Sequence, residues 1–150
     1  GIADAAFVFD VPGGRNPGPV ASQCLFADFA AEERRYYQNT GIHPIMHTVV
    51  VDRRRFEQFP ELPETLYAVM CGAKALAANR LVERGTNSAM VPFLAHAIDD
   101  TVAVFGEDWW PYGIETNRPC LERMCRYAFE QGLTAHRLGV EDLFPECTWS

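Results

Sequence analysis

A chain of 150 residues, 48% of them apolar, is long enough to bury one core. Its net charge of -7, with no basic stripe beyond Arg53-Arg54-Arg55, argues against a nucleic-acid partner. No apolar run approaches the ~20 residues that cross a bilayer, so no membrane partner is expected either.

The first ten residues begin almost inside a strand, without an initiator Met, so the chain reads as a fragment of something longer. Residues 5–9 form an apolar run between Asp4 and Asp10, the pattern of a buried strand. Residues 11–19 are rich in Pro and Gly and predict a loop. A helix is expected over 27–38, with Glu32, Glu33, Arg34 and Arg35 on its wet side, ending at Thr40-Gly41. Residues 46–51 are β-branched and almost continuously apolar, which predicts a strand covered on both faces, with Arg53-Arg54-Arg55 as its solvated end.

The longest helix should open at Pro63 or Glu64 and end near Arg84-Gly85, with Leu66, Met70, Ala73, Ala77 and Leu81 as its apolar stripe. A second is expected from Pro92 to about Val104, with Leu94, Ile98 and Val102 inward. The last long helix, over 117–131, should start at Asn117 as N-cap, carry Pro119 in its first turn and close at Gly132. Leu121, Met124, Cys125 and Ala128 would be its buried face, and Glu122 would pair with Arg126. Residues 140–144 predict a short final turn. Two strands and four or five helices make a poor closed domain, because a sheet apolar on both faces needs more strands. The expected class is therefore α/β, helix-rich and incomplete.

Five scattered cysteines, Cys24, Cys71, Cys120, Cys125 and Cys147, show neither a CxxC pair nor zinc-ligand spacing. An odd number of such thiols suggests a reduced, cytoplasmic protein. Lys74 is the single lysine beside twelve arginines, a skew read here as genomic composition rather than function.

The segment Trp109-Trp110-Pro111-Tyr112-Gly113-Ile114-Glu115-Thr116-Asn117-Arg118 carries the most functional information. It places flat apolar faces, a phenol, indole N–H groups and the open donors of a helix start close together. Those groups suit an aromatic or carboxylate-bearing small molecule, and a loop plugged onto the core is the plainer alternative.

Gly41-Ile42-His43-Pro44-Ile45-Met46-His47-Thr48-Val49-Val50-Val51, Phe105-Gly106-Glu107-Asp108-Trp109-Trp110-Pro111-Tyr112-Gly113 and Asn117-Arg118 with Leu121-Glu122 resemble, in that order, the C-terminal half of the 4,5-dihydroxyphthalate decarboxylase family. Arg126-Tyr127-Ala128, Glu130-Gln131-Gly132-Leu133 and Val140-Glu141-Asp142-Leu143-Phe144 extend the match. The resemblance implies part of a two-lobed fold like the type II periplasmic binding proteins, with ligand in the cleft. Residues of about 1–45 would end one lobe, and about 46–150 would return to the other and add the C-terminal helices. It also implies loss of one carboxylate from 4,5-dihydroxyphthalate, giving protocatechuate and CO2 with no cofactor.

For that chemistry His47 is the candidate proton donor, since imidazole titrates near neutral pH, with a histidine satisfied inside the sheet as the alternative. Pro44 prevents His43 and His47 from sharing a helix face, so no metal is expected from this pair. Arg118 is the candidate carboxylate clamp, or else pairs with Glu115 or with solvent. Tyr112 is the candidate hydrogen-bonding phenol, Trp110 a wall for the ring, and Asn117 a polar contact at the helix start. A solute-binding component of an uptake system on the same scaffold, or an inactive half-length remnant, are the alternatives. Self-association or pairing with a missing N-terminal half is expected, because sheet edges and apolar helix faces would otherwise stay uncovered.

Overall fold

The computed structural model describes residues 24–83 and 90–149. The chain divides into two compact units, Gly1–Asn39 and Thr40–Ser150. In the first, helix α1 runs over Phe29–Thr40. The Asp28 carboxylate accepts a hydrogen bond from the Ala31 N–H at 2.9 Å, so a side-chain cap sets the start slightly later than the expected residue 27. Arg35 Nε donates to Glu32 at 3.0 Å on the solvated face.

The second unit begins with an extended segment. Ile42 is buried and Ile45 packs onto the core, after which the chain runs outward. The strand expected over 46–51 is a correction: these residues form neither strand nor helix, and no strand occurs among the described residues. A strand exists only with a neighbour to share its backbone hydrogen bonds, and the described chain brings none alongside. Val50 stands 89% exposed and Val49 57%. The strand expected over 5–9 lies outside the described residues. What the described residues display of the expected class is its helix-rich part.

Helix α2, Arg53–Gln58, follows at once. Asp52 caps it by accepting from the Arg54 N–H at 2.9 Å, so Arg53-Arg54-Arg55 opens a helix rather than ending a strand. The Arg54 side-chain and backbone donors hold the Asp52 carboxyl below its usual range. Helices α3 (Leu62–Val82) and α4 (Leu94–Phe105) come next. The expected stripe of α3 is rotated: of its residues Leu66 is half-buried but Met70, Ala73, Ala77 and Leu81 are exposed, while Tyr67, Cys71, Lys74 and Ala78 are half-buried. A shift of one position turns an α-helical stripe by about 100°. Because α3 is apolar on several sides, periodicity alone could not choose its inward face. Its outward face leaves Val69 and Leu76 more than half exposed. In α4 the expected Leu94, Ile98 and Val102 are half-buried, and so are Thr101, Val104 and Phe105.

Helix α5 spans Ile114–Glu130 and starts three residues before the expected N-cap Asn117. Pro119 therefore lies inside the helix. Its end matches expectation: Gly132 N–H donates to Phe129 O at 3.0 Å and Leu133 N–H to Ala128 O at 2.8 Å, the paired bonds of a Schellman closure. Two single 3-10 turns, Val140–Asp142 and Glu146–Thr148, end the described chain. The first packs on α5, and the second on α3, which also meets α2 and α4.

The core is small. Ile114, Leu121, Cys125 and Val140 are buried together, with Ile45, Phe144 and Trp149 packed against them. Trp149 Nε1 donates to Phe144 O at 3.1 Å, which satisfies the indole. Met124 was expected on this face but is 47% exposed, and Glu122 approaches Arg118 while Arg126 pairs with Glu130 at 3.4 Å. Burial lifts the Cys125 thiol above its ordinary pKa, so this cysteine acts as an inert packing group. All five cysteines are free thiols. No helix among the described residues is long and apolar enough to cross a membrane.

Candidate functional site

The aromatic segment is a loop hung between two glycines. Gly106, closing α4, has φ 84° and ψ -173°, and Gly113, opening α5, has φ 95° and ψ 156°. Both lie in a region that side chains with a Cβ scarcely enter. The loop can therefore leave α4 and enter α5 sharply, carrying Trp109, Trp110 and Tyr112 on a short span. Trp109 is half-buried and Trp110 is 49% exposed, so the first packs and the second offers its ring.

Asn117 holds this loop from inside the helix. Its Nδ2 donates to Pro111 O at 2.9 Å and to Gly113 O at 2.8 Å. It is thus a brace for the aromatic segment rather than an N-cap.

Lys74 is the group that sequence reasoning missed. From the inward face of α3 its ammonium donates to Asp108 Oδ1 at 2.7 Å and to Trp110 O at 3.1 Å. It also lies 5.0 Å from the centre of the Tyr112 ring, within cation–π range. Its side chain is 24% exposed against 62% for Asp108. Lys74 falls in step with the half-buried Tyr67, Cys71 and Ala78, but the sequence offered no signal for this face because α3 is apolar on several sides.

The histidine that meets the loop is His43. Its ring stands edge-on to Phe105 at 5.1 Å and 71° and to Trp110 at 5.9 Å and 65°. His47 is exposed and makes no hydrogen bond, ion pair or ring contact with the described residues. Pro44 lies between the two and keeps the backbone extended, which lets His43 face the loop without bringing His47 along. No group of three His, Cys, Asp or Glu side chains among the described residues is placed to hold a metal ion.

Arg118 is strongly engaged. Nη1 donates to Glu141 Oε1 at 2.6 Å and Nη2 to Glu115 Oε1 at 2.7 Å, with Glu122 at 3.9 Å. The Glu115 and Glu141 hydrogen bonds hold the guanidinium protonated beyond its ordinary range. The same arginine holds the Glu141 carboxyl below its usual value. A carboxyl lowered on folding stabilises the folded state above its ordinary pKa, and that contribution fades as pH falls through the lowered one. The Val140–Asp142 turn should therefore loosen from α5 in acid. Glu141→Gln is expected to flatten the acid limb of a stability-versus-pH curve, read by chemical denaturation at each pH, and an unchanged limb would deny this link.

No family model matches the chain. It is 29% identical over 137 residues to the 4,5-dihydroxyphthalate decarboxylase of Comamonas testosteroni, a match covering 85% of the chain. The chain spans 42% of that relative's length. This similarity supports a distant relationship to a decarboxylase.

Proposed function

We propose that the chain forms one part of a carboxy-lyase that removes CO2 from an aromatic dihydroxy-dicarboxylate such as 4,5-dihydroxyphthalate. The observation that carries this reading is the similarity to the Comamonas testosteroni decarboxylase across most of the chain. The loop's exposed Trp110 ring and its Tyr112 ring, with Lys74 5.0 Å from the latter, support it, since these groups suit an anionic aromatic ligand.

Direct loss of CO2 from an aryl carboxylate leaves an unstabilised carbanion in the ring plane. Protonation of the carboxylate-bearing carbon avoids it, with the para hydroxyl supplying electron density. The C–C bond to CO2 then breaks, its electron pair restores the aromatic ring, and no oxidant or reductant enters. The protein must supply a general acid over the ring, an acceptor for the phenol proton and donors for the retained carboxylate. His47 is the proposed acid. His43 is the second reading, favoured by its contacts with Trp110 and Phe105.

Within this proposal the active unit is two-lobed, and the exposed Val50, Val69 and Leu76 are faces that an N-terminal half or a second chain covers. The chain alone should then release no CO2 from 4,5-dihydroxyphthalate. Mixed with the N-terminal half of the Comamonas testosteroni relative, it should gain turnover without nucleotide, flavin or pyridoxal cofactor. In that complex His47→Gln should remove most turnover while binding persists. Loss in His43→Gln alone would move the role to His43. Tight binding without turnover under every condition would instead support the solute-binding reading.

A further inference from the structure

We propose that Lys74, rather than Arg118, receives the carboxylate of the aromatic acid, and that Asp108 makes the contact on Lys74 which that carboxylate takes over. The inference rests on the aromatic-acid reading above and names the group that reads the acid.

The two cations differ in their surroundings. Arg118 meets Glu115 and Glu141 at hydrogen-bonding distance, with Glu122 close behind. A further anion there would face three carboxylates around one positive charge, so repulsion would oppose it. Lys74 faces one carboxylate, Asp108, and exchanging that for another keeps the local charge balanced.

The exchange is also structurally easy. The Asp108 side chain is 62% exposed, so it can turn into water and stay solvated. Lys74 is held independently of it, by the Trp110 carbonyl at 3.1 Å and the Tyr112 face at 5.0 Å. Its ammonium therefore stays in place when Asp108 leaves. A carboxylate on Lys74 would bring its ring to the loop that carries Tyr112, whose ring centre lies 5.0 Å from the ammonium, and Trp110, whose ring meets His43 edge-on. Charge and ring are read by neighbouring groups, which is what an aryl carboxylate requires.

A purely structural role for the pair makes a different forecast. If Lys74 and Asp108 only tie α3 to the loop, removing either should damage the site alike. If Asp108 competes with the ligand, the two removals act in opposite directions.

The test is titration of the 150-residue chain with phthalate, followed by NMR shifts of the tryptophan indole N–H groups, with catechol as the probe lacking a carboxylate. Lys74→Met should weaken phthalate binding on the order of tenfold to a hundredfold and leave catechol unchanged. Asp108→Ala should tighten phthalate binding about two- to fivefold. Lys74→Arg, which keeps the charge, should retain part of the affinity. Weaker binding in both Lys74→Met and Asp108→Ala, or no binding by the unaltered chain, would overturn the proposal. Should Lys74→Met lose its helical circular dichroism, the sign for Asp108→Ala decides alone. These readings concern binding, so they stand apart from whether the complemented protein releases CO2.

Discussion

Leu121→Ala is expected to cost roughly 2–5 kcal/mol of folding stability, the range for truncating a buried leucine. Leu121 is 2% exposed and sits among Ile114, Cys125 and Val140, with Phe144 and Trp149 alongside. The cavity would open where α5 meets the Val140–Asp142 turn, and few other buried side chains could close it. Domains of this size have only about 5–15 kcal/mol in total, so the loss is a large share. Met124→Ala, on the same helix but 47% exposed, should cost far less. Urea denaturation of both variants checks the contrast, and equal losses would contradict the placement of the core.

Gly113→Ala should destabilise by about 1–3 kcal/mol, the penalty for a side chain in a backbone region reserved for glycine. The residue has φ 95° and ψ 156° and is the hinge from the aromatic loop into α5. Relief of the strain would shift Tyr112 relative to Lys74, so tryptophan emission should change together with stability. Gly72→Ala is the control, since a Cβ there meets nothing within 4 Å. In the middle of α3 alanine is the better helix former, and the variant should gain about 0.4–1 kcal/mol. The two Gly→Ala changes should therefore have opposite signs, because Gly113 sits at positive φ and Gly72 on ordinary helical backbone.

The longer helices were legible because their signals are local, while the six-residue α2 was missed as a strand end. Turn residues and one-sided apolar spacing placed α4 and α5 within a few residues, and the Gly132 closure was readable from the glycine alone. The start of α5 was misread because Asn117 and Pro119 look like a helix opening, whereas the turn is made by Gly113 and Asn117 braces it from within. The extended segment 46–51 shows the opposite problem. Val49, Val50 and Val51 declare a preference for strand, yet strand formation depends on a partner that no local pattern reveals.

The candidate site divides along the same line. Asn117 reaches the Pro111 and Gly113 carbonyls of the loop that carries Trp110 and Tyr112 because all five are neighbours in sequence. Lys74 and His43 join through packing. For Lys74 this depended on which face of α3 turns inward, and an evenly apolar helix does not announce that. Arg118 was correctly seen as a cation at a helix start, and its pairing with Glu115 was one of the two readings open for it. Glu141 was invisible as its second partner because it arrives from a later turn.

The tie between Lys74 and Asp108 joins positions 34 apart in the chain. Each helix can form through bonds between residues three or four apart, but this tie must wait until α3 and α4 have met, after a wide loop has closed. The loop's link to α3 therefore requires that packing, whereas its Asn117 brace joins positions only four and six apart. An opening that parts α3 from the loop would break that link without breaking the bonds within any helix. A chain that retains all its helices could thus still lack the arrangement that reads an aromatic acid.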